Sequence, residues 1–274
     1  MVLLTTAIWG CSGTDTSELS YRLAQAEAEK GKTLVAELPC LGIPRLGFAS
    51  NIMDRVRNVE TFIMKIEQNQ PLTWQQVFEV NQNLSVLPAS VFATPDCPIV
   101  SKVSLSTLID VAPRLINFAE NEQCRHLILD CQGQLTSPMT FFALKAAGNI
   151  VIPVAKPTDA AYVLANIRRL VKVFKHPVEK FILLVEGDVK AIKRLAVIKG
   201  EDGKPLEGIK VLAWDKQPLE QIFDNEEALS MVNSDYLNEA RLRNNLWSFD
   251  KLRLRRRQMA ESVGQEPILT QYQL

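Results

Sequence analysis

Short, unbroken apolar runs are the feature that most narrows the folds open to this chain. Val2–Ala7, Thr33–Leu38, His126–Cys131, Asn149–Ala155, Lys180–Glu186 and Ile209–Trp214 are rich in valine, isoleucine and leucine, and they do not alternate with polar residues. A strand with one face in water would alternate; runs like these fit strands covered by helices on both faces. Helical stretches separate several of them. Ser17–Lys30 brings Leu19, Leu23, Ala26 and Ala28 near one face and meets Gly31, a residue suited to closing a helix. Thr158–Phe174 repeats apolar residues at Tyr162, Val163, Ile167, Leu170, Val171 and Phe174, ahead of Pro177. Strand–helix alternation predicts βαβ units, a mostly parallel sheet and a doubly wound α/β fold with helices on both faces.

The remaining elements are expected as helices over Asn58–Gln68, Trp74–Asn83 and Leu105–Glu120, a further strand over Leu84–Ala89, and a polar surface loop at Gly200–Gly208. No repeat or low-complexity tract interrupts the chain. The expected organisation is one α/β domain over 1–232 and a helical C-terminal appendage over 233–274.

Charge and cysteine content exclude some classes of function. Lys+Arg and Asp+Glu both number 31, so no net charge draws the chain to nucleic acid or membrane, and any such attraction must be local. No apolar run reaches the roughly 18 residues of a membrane span. Met1–Ile8 lacks a basic flank and reads as a strand, not a signal peptide. The five cysteines (Cys11, Cys40, Cys97, Cys124, Cys131) form no CxxC pair and read as reduced thiols of a cytoplasmic protein.

In doubly wound sheets, ligands bind beyond the carboxyl ends of the strands, which directs attention to the first strand-to-helix turn. It reads Trp9, Gly10, Cys11, Ser12, Gly13, Thr14, Asp15, Thr16. A phosphate-binding loop needs glycines, a lysine for the β/γ-phosphates and a hydroxyl for Mg²⁺. Gly10 and Gly13 are present, but no Lys or Arg occurs between Met1 and Tyr21.

This opening resembles that of the ParA/MinD family of deviant Walker-A ATPases: a strand, a KGGxGKT loop, a helix ending in glycine, and a strand ending in DxD-P-x-G. The corresponding pieces are Trp9–Thr16, the helix ending LAQAEAEKGK, and Leu34–Gly42. LILDCQG at Leu127–Gly133 resembles the family's Walker-B and switch segment. Ile150–Ile167 resembles the strand and helix that follow, and Ile209–Asp215 a late strand. The resemblance implies a P-loop NTPase fold and places the family's signature Lys at Trp9, its Walker Lys at Thr14 and its Mg²⁺-binding Thr at Asp15. Of the two acids ending the second strand, the first is kept as Glu37 and the second is Pro39. The Walker-B acid is kept as Asp130, and Gly133 fits the switch glycine.

Those departures weaken a triphosphate site. A carboxylate about 4 Å from a phosphate is opposed by about 4 kcal/mol at an effective dielectric of 20. Asp15 and Glu18 also have capping-box spacing, which would occupy the N–H groups that otherwise hold phosphate. The expected site is therefore a degenerate nucleotide loop, Gly10, Cys11, Ser12, Gly13, Thr14, Asp15 and Thr16, with Glu37 and Asp130 as remnants of the catalytic set. No resident cofactor is expected. The counter-reading keeps ATP and Mg²⁺, with Asp15, Glu37 and Asp130 as a carboxylate site.

Cys11, Cys40 and Cys131 each follow a strand and could meet at one rim, but they match no metal signature. His126 and His176 sit at element ends and have no local nucleophile, so a structural or solvated role is expected. Trp9 either fills space a ligand once occupied or presents an anchor to a partner. Residues 234–264 read as a long basic helix with Arg241, Arg243, Lys251, Arg253, Arg255, Arg256 and Arg257 beside an apolar stripe of Leu242, Leu246, Phe249 and Leu252. Such a helix suits its own domain, a partner, the inner face of an anionic membrane, or nucleic acid. The resemblance extends the MinD-like membrane-targeting helix to it.

The functional expectation is a non-hydrolysing scaffold or positioning protein that binds protein partners in an assembly of the partitioning, division-site, pilus or secretion type. If it is a homodimer, the dimer forms without nucleotide. The alternatives are a weak Mg²⁺-dependent ATPase using the retained carboxylates, and a nucleic-acid-binding module working through the C-terminal arginines.

Overall fold

Apolar β-branched runs covered on both faces produce a parallel sheet here, as the pattern requires. The computed structural model describes residues 2–10, 16–38, 45–52, 54–90, 103–131, 134–154, 157–186, 198–199, 205–206 and 208–213. The strands are β1 (Leu4–Trp9), β2 (Thr33–Leu38), β3 (Phe78–Glu79), β4 (Leu84–Leu87), β5 (His126–Cys131), β6 (Asn149–Val154), β7 (Phe181–Val185), β8 (Ile198–Lys199), β9 (Pro205–Leu206) and β10 (Lys210–Ala213). The helices are α1 (Thr16–Ala28), α2 (Arg45–Ser50), α3 (Val59–Glu67), α4 (Leu105–Asn121), α5 (Pro138–Ala146) and α6 (Pro157–Lys172).

Eight strands form one sheet in the order β10-β7-β6-β1-β5-β2-β4-β3. Every neighbouring pair is parallel except β3 with β4. Every residue of β2, β5 and β7 is buried. On one face, α1 and α2 pack Leu19, Leu23, Ala24 and Leu46 against Ile8, Val35, Ile128 and Val151. On the other, α3 to α6 pack Phe62, Leu115, Leu144 and Ile167 against Ala7, Leu34, Leu129 and Ile152. The fold is doubly wound, and these elements all lie in one compact unit, Met1–Asp224.

The topology also marks where a ligand would go. From β1 the chain passes through α1 to β2, stepping over β5; from β5 it passes through α5 to β6, stepping over β1. The two crossovers leave in opposite directions on opposite faces, so the carboxyl ends of β1 and β5 border a topological switch point.

Some expectations need correction. Trp74–Asn83 is not a helix. A single 3-10 turn, Trp74–Gln76, is closed by a Thr73–Gln76 capping box, and the chain then enters β3. Val77, Phe78 and Val80 favour extended backbone, and the Asn81 side chain accepts from the amides of Asn83 and Leu84 to turn the hairpin. Pro205–Leu206, expected in a loop, instead pairs antiparallel with Ile198–Lys199. Helix α1 ends at Ala28, ahead of Gly31 (φ +155°), whose lack of a Cβ lets Arg125 pack 3.1 Å from where one would stand. Helices α2 and α5 were not anticipated; α5 is apolar around most of its surface, so it shows little period, although Ser137 and Pro138 mark its start. Among the described residues no helix is long and apolar enough to cross a membrane. The expected appendage over 233–274, Cys40, Cys97 and Gly133 lie outside the described residues.

Candidate functional site

The candidate site is the rim where β1, β2 and β5 end. Parallel register sets Glu37 and Ile8 on either side of Asp130, and sets Leu38 and Trp9 on either side of Cys131. The sheet therefore brings the two retained acids together on neighbouring strands, both fully buried. Of the loop, Gly10 and Thr16 are described; Cys11, Ser12, Gly13, Thr14, Asp15 and, beyond β2, Pro39 lie outside the described residues.

Each acid is engaged differently. Asp130 Oδ2 accepts a hydrogen bond of 2.5 Å from Ser17 Oγ in the first turn of α1. Glu37 uses both oxygens on backbone: Oε1 accepts from the Arg45 amide at 2.8 Å, and Oε2 from the Ala89 amide at 2.7 Å. Glu37 thus clasps the start of α2 to the exit of β4. Burial raises its carboxyl to about 7, and the neighbouring Asp130 charge adds to the rise against the opposing amide bonds. Glu60 repeats the device one residue on, accepting from the Ser90 amide at 2.8 Å. Its carboxyl is also raised by burial. The described rim carboxylates accept from hydroxyl and amide donors.

Ser17 was missed as a site residue. The spacing signal was present: a P-loop places its Mg²⁺ hydroxyl seven residues after its first glycine, and Ser17 stands seven after Gly10. In that register the lysine position falls on Thr16, buried at the head of α1, instead of on Thr14. Neither register supplies a cation.

Trp9 resolves as a core residue. Its side chain is 1% exposed within the larger apolar cluster, so it offers no surface to a partner. Cys131 is fully buried, its thiol donating to the Leu129 carbonyl at 3.5 Å. Burial and the adjacent Asp130 hold that thiol well above its ordinary range, which opposes a thiolate ligand. Among the described residues no cluster of His, Cys, Asp and Glu is arranged to hold a metal. His126 lies at the opposite strand ends, where its ring meets Thr6 Oγ1 at 2.9 Å and Glu27 Oε2 at 3.3 Å. That buried chain ties β1, β5 and α1 together. His176 is buried beside Phe141 and Phe181. Both histidines are buried, which fits the structural alternative and not the solvated one. The C-terminal basic residues Arg241 to Arg257 lie outside the described residues.

The described fold is thus a doubly wound parallel sheet in which the acid ending β5 bonds a hydroxyl of α1. No protein-family model matches the chain, and no curated protein matches it. Solved structures share the fold. A ParA family ATPase from Chlorobium tepidum TLS is 12% identical, with 83% of this chain and 94% of that one covered at a TM-score of 0.57. The septum site-determining protein MinD of Pyrococcus horikoshii OT3, complexed with Mg-ADP, is 14% identical over 78% of this chain and 83% of that one, TM-score 0.54. The MinC:MinD cell division protein complex of Aquifex aeolicus gives 14% identity, 70% and 73% coverage, and a TM-score of 0.51. The chain has the ParA/MinD-like P-loop fold.

The residues present can be tested against the nucleotide and metal that the fold implies. Ser17 and Asp130 are an oxygen pair of the type that holds Mg²⁺ in P-loop proteins. For a triphosphate, Met1 to Tyr21 carries no Lys or Arg side chain to compensate its charge.

Proposed function

We propose that this protein is a non-hydrolysing member of the ParA/MinD-like fold that binds and positions protein partners within an assembly. The observation that carries the reading is the chemistry of the rim. Where an ATPase needs a lysine and a free carboxylate, this chain has no basic residue before Arg22. Its Glu37 carboxylate spends both oxygens on the Arg45 and Ala89 amides. Charge-assisted bonds of this kind contribute to holding α2 and the β4 exit in place; they do not ready an acid for catalysis. Solved relatives of the fold include a MinC:MinD complex, which supports partner binding as a use for this scaffold. Phosphate release from ATP is the direct test. The reading expects no turnover above buffer, and a rate that disappears on Asp130→Ala would overturn it.

One observation favours a second reading. The Ser17–Asp130 bond preserves the hydroxyl–carboxylate pair that holds Mg²⁺ in working P-loops. On that reading the chain binds nucleotide through magnesium and hydrolyses it slowly. It expects affinity that vanishes when magnesium is chelated and in Ser17→Ala.

A further inference from the structure

A groove of about 590 Å³ runs between α1 and α2 on the surface of the domain. One wall is a single face of α1, because Glu18, Tyr21 and Arg22 stand three and four residues apart. The other wall is α2, which contributes Arg45 and Phe48 at the same spacing.

Phe48 is 53% exposed, on a helix whose other features are tightly fixed. Leu46 is fully buried, and the Ile52 amide donates to the Gly47 carbonyl at 2.8 Å. A Cβ on Gly47 would stand 2.9 Å from the Ile52 carbonyl oxygen, so α2 approaches its own exit turn as closely as glycine allows. The exposed ring therefore stands on a helix anchored beneath by Leu46. The charges around it are unbalanced. Arg22 pairs with Glu18 at 2.6 Å, while the Arg45 guanidinium makes no ion pair among the described residues. A groove lined by Phe48, two guanidiniums and one carboxylate complements acidic groups flanking an apolar side chain. Tyrosine and arginine are also the residue types that dominate binding energy at protein interfaces.

We infer that the α1–α2 groove is a docking site for an acidic segment of a partner protein, with an apolar side chain seated on Phe48 and carboxylates on Arg45 and Arg22. The inference rests on the partner-binding reading and gives that partner a chemistry and a place. Both walls are rooted in the rim: Ser17 at the head of α1 bonds Asp130, and the first amide of α2 bonds Glu37.

The test is selection of a displayed library of random peptides on the full chain, followed by affinity measurement on Arg45→Glu and Phe48→Ser. Both positions are exposed, so the variants keep the fold. The expected result is enrichment of peptides with Asp or Glu around one large apolar residue. Their affinity falls by at least about tenfold in each variant and falls with added salt. Replacing the peptide acids with lysine should restore binding to Arg45→Glu. Peptides that are basic, or whose binding ignores both substitutions, would overturn the inference. Co-sedimentation with phosphatidylglycerol vesicles that is lost in Phe48→Ser would also overturn it, by making lipid the occupant. Mg·ATP turnover that disappears on Asp130→Ala would sink the non-hydrolysing reading while leaving groove binding intact. Failure of the groove test leaves that reading standing with another surface.

Discussion

Replacing Glu37 by glutamine should flatten a specific part of the protein's pH–stability profile. The Glu37 carboxyl is fully buried, beside Asp130, and is raised from an ordinary 4.5 to about 7. In the folded state it therefore binds a proton that the unfolded chain has already released. The resulting stabilisation is complete below the unfolded value of 4.5 and is lost as pH rises through about 7. At about 1.4 kcal/mol per pH unit, the rise corresponds to about 3 kcal/mol lost between pH 4.5 and pH 8. Glutamine keeps the shape and one acceptor but does not titrate, and it turns an NH₂ toward one of the amides that Glu37 now accepts. Urea denaturation of both proteins across that range, with a chelator present, isolates the effect. The wild-type advantage over Glu37→Gln should shrink by about 3 kcal/mol as pH rises. A difference that stays constant from pH 4.5 to 8 would refute the reasoning.

Three further perturbations have defined outcomes. Ser17→Ala removes a hydroxyl donor to a buried carboxylate, so chemical denaturation should report a loss of about 1.5–3 kcal/mol; an unchanged midpoint would mean that the bond does not hold α1 to β5. Trp9→Lys restores the family's signature residue at a position that is 1% exposed. It should cost several kcal/mol, from lost packing plus an unpaired buried amine, on the order of 3–5 for the cavity alone, and it should confer no ATP affinity. Glu27 shows the opposite pH sense to Glu37. Burial alone would raise its carboxyl, but hydrogen bonds from His126 and Lys30 outweigh that and lower it. Its stabilisation is therefore present above the unfolded carboxylate value and lost as pH falls through the folded one. His126→Ala should weaken this acid-side dependence in a thermal-melt series, and a series identical to wild type would count against the Thr6–His126–Glu27 chain.

What could be read in the sequence divides along physical lines. Parallel strands buried on both faces announce themselves by composition, so Thr33–Leu38 and His126–Cys131 were bounded correctly and the doubly wound sheet followed from their alternation with helices. Helices with one apolar stripe were equally plain, as at Val59–Glu67 and Leu105–Asn121. Elements without a period were not: α5 is apolar almost all round, and α2 is only six residues long. Trp74–Gln76 and the hairpin after it failed for a different reason. Their local pattern was weak, and the structure there is set by side-chain bonds from Gln76 and Asn81. At the site, the pairing of Glu37 with Asp130 could be anticipated from strand-end positions. The clasp that Glu37 makes on Arg45 and Ala89 could not, since its partners are backbone amides eight and 52 positions away. Ser17 was concealed by an alignment that kept Gly13 in register and so assigned the hydroxyl position to Asp15.

Isothermal calorimetry of the full chain with ATP, with and without magnesium, tests the central claim most directly. The account predicts no saturable heat with ligand up to about 1 mM, corresponding to less than about 4 kcal/mol of binding free energy. Saturable, magnesium-dependent binding that Ser17→Ala and Asp130→Ala both abolish would show that the rim still holds a nucleotide.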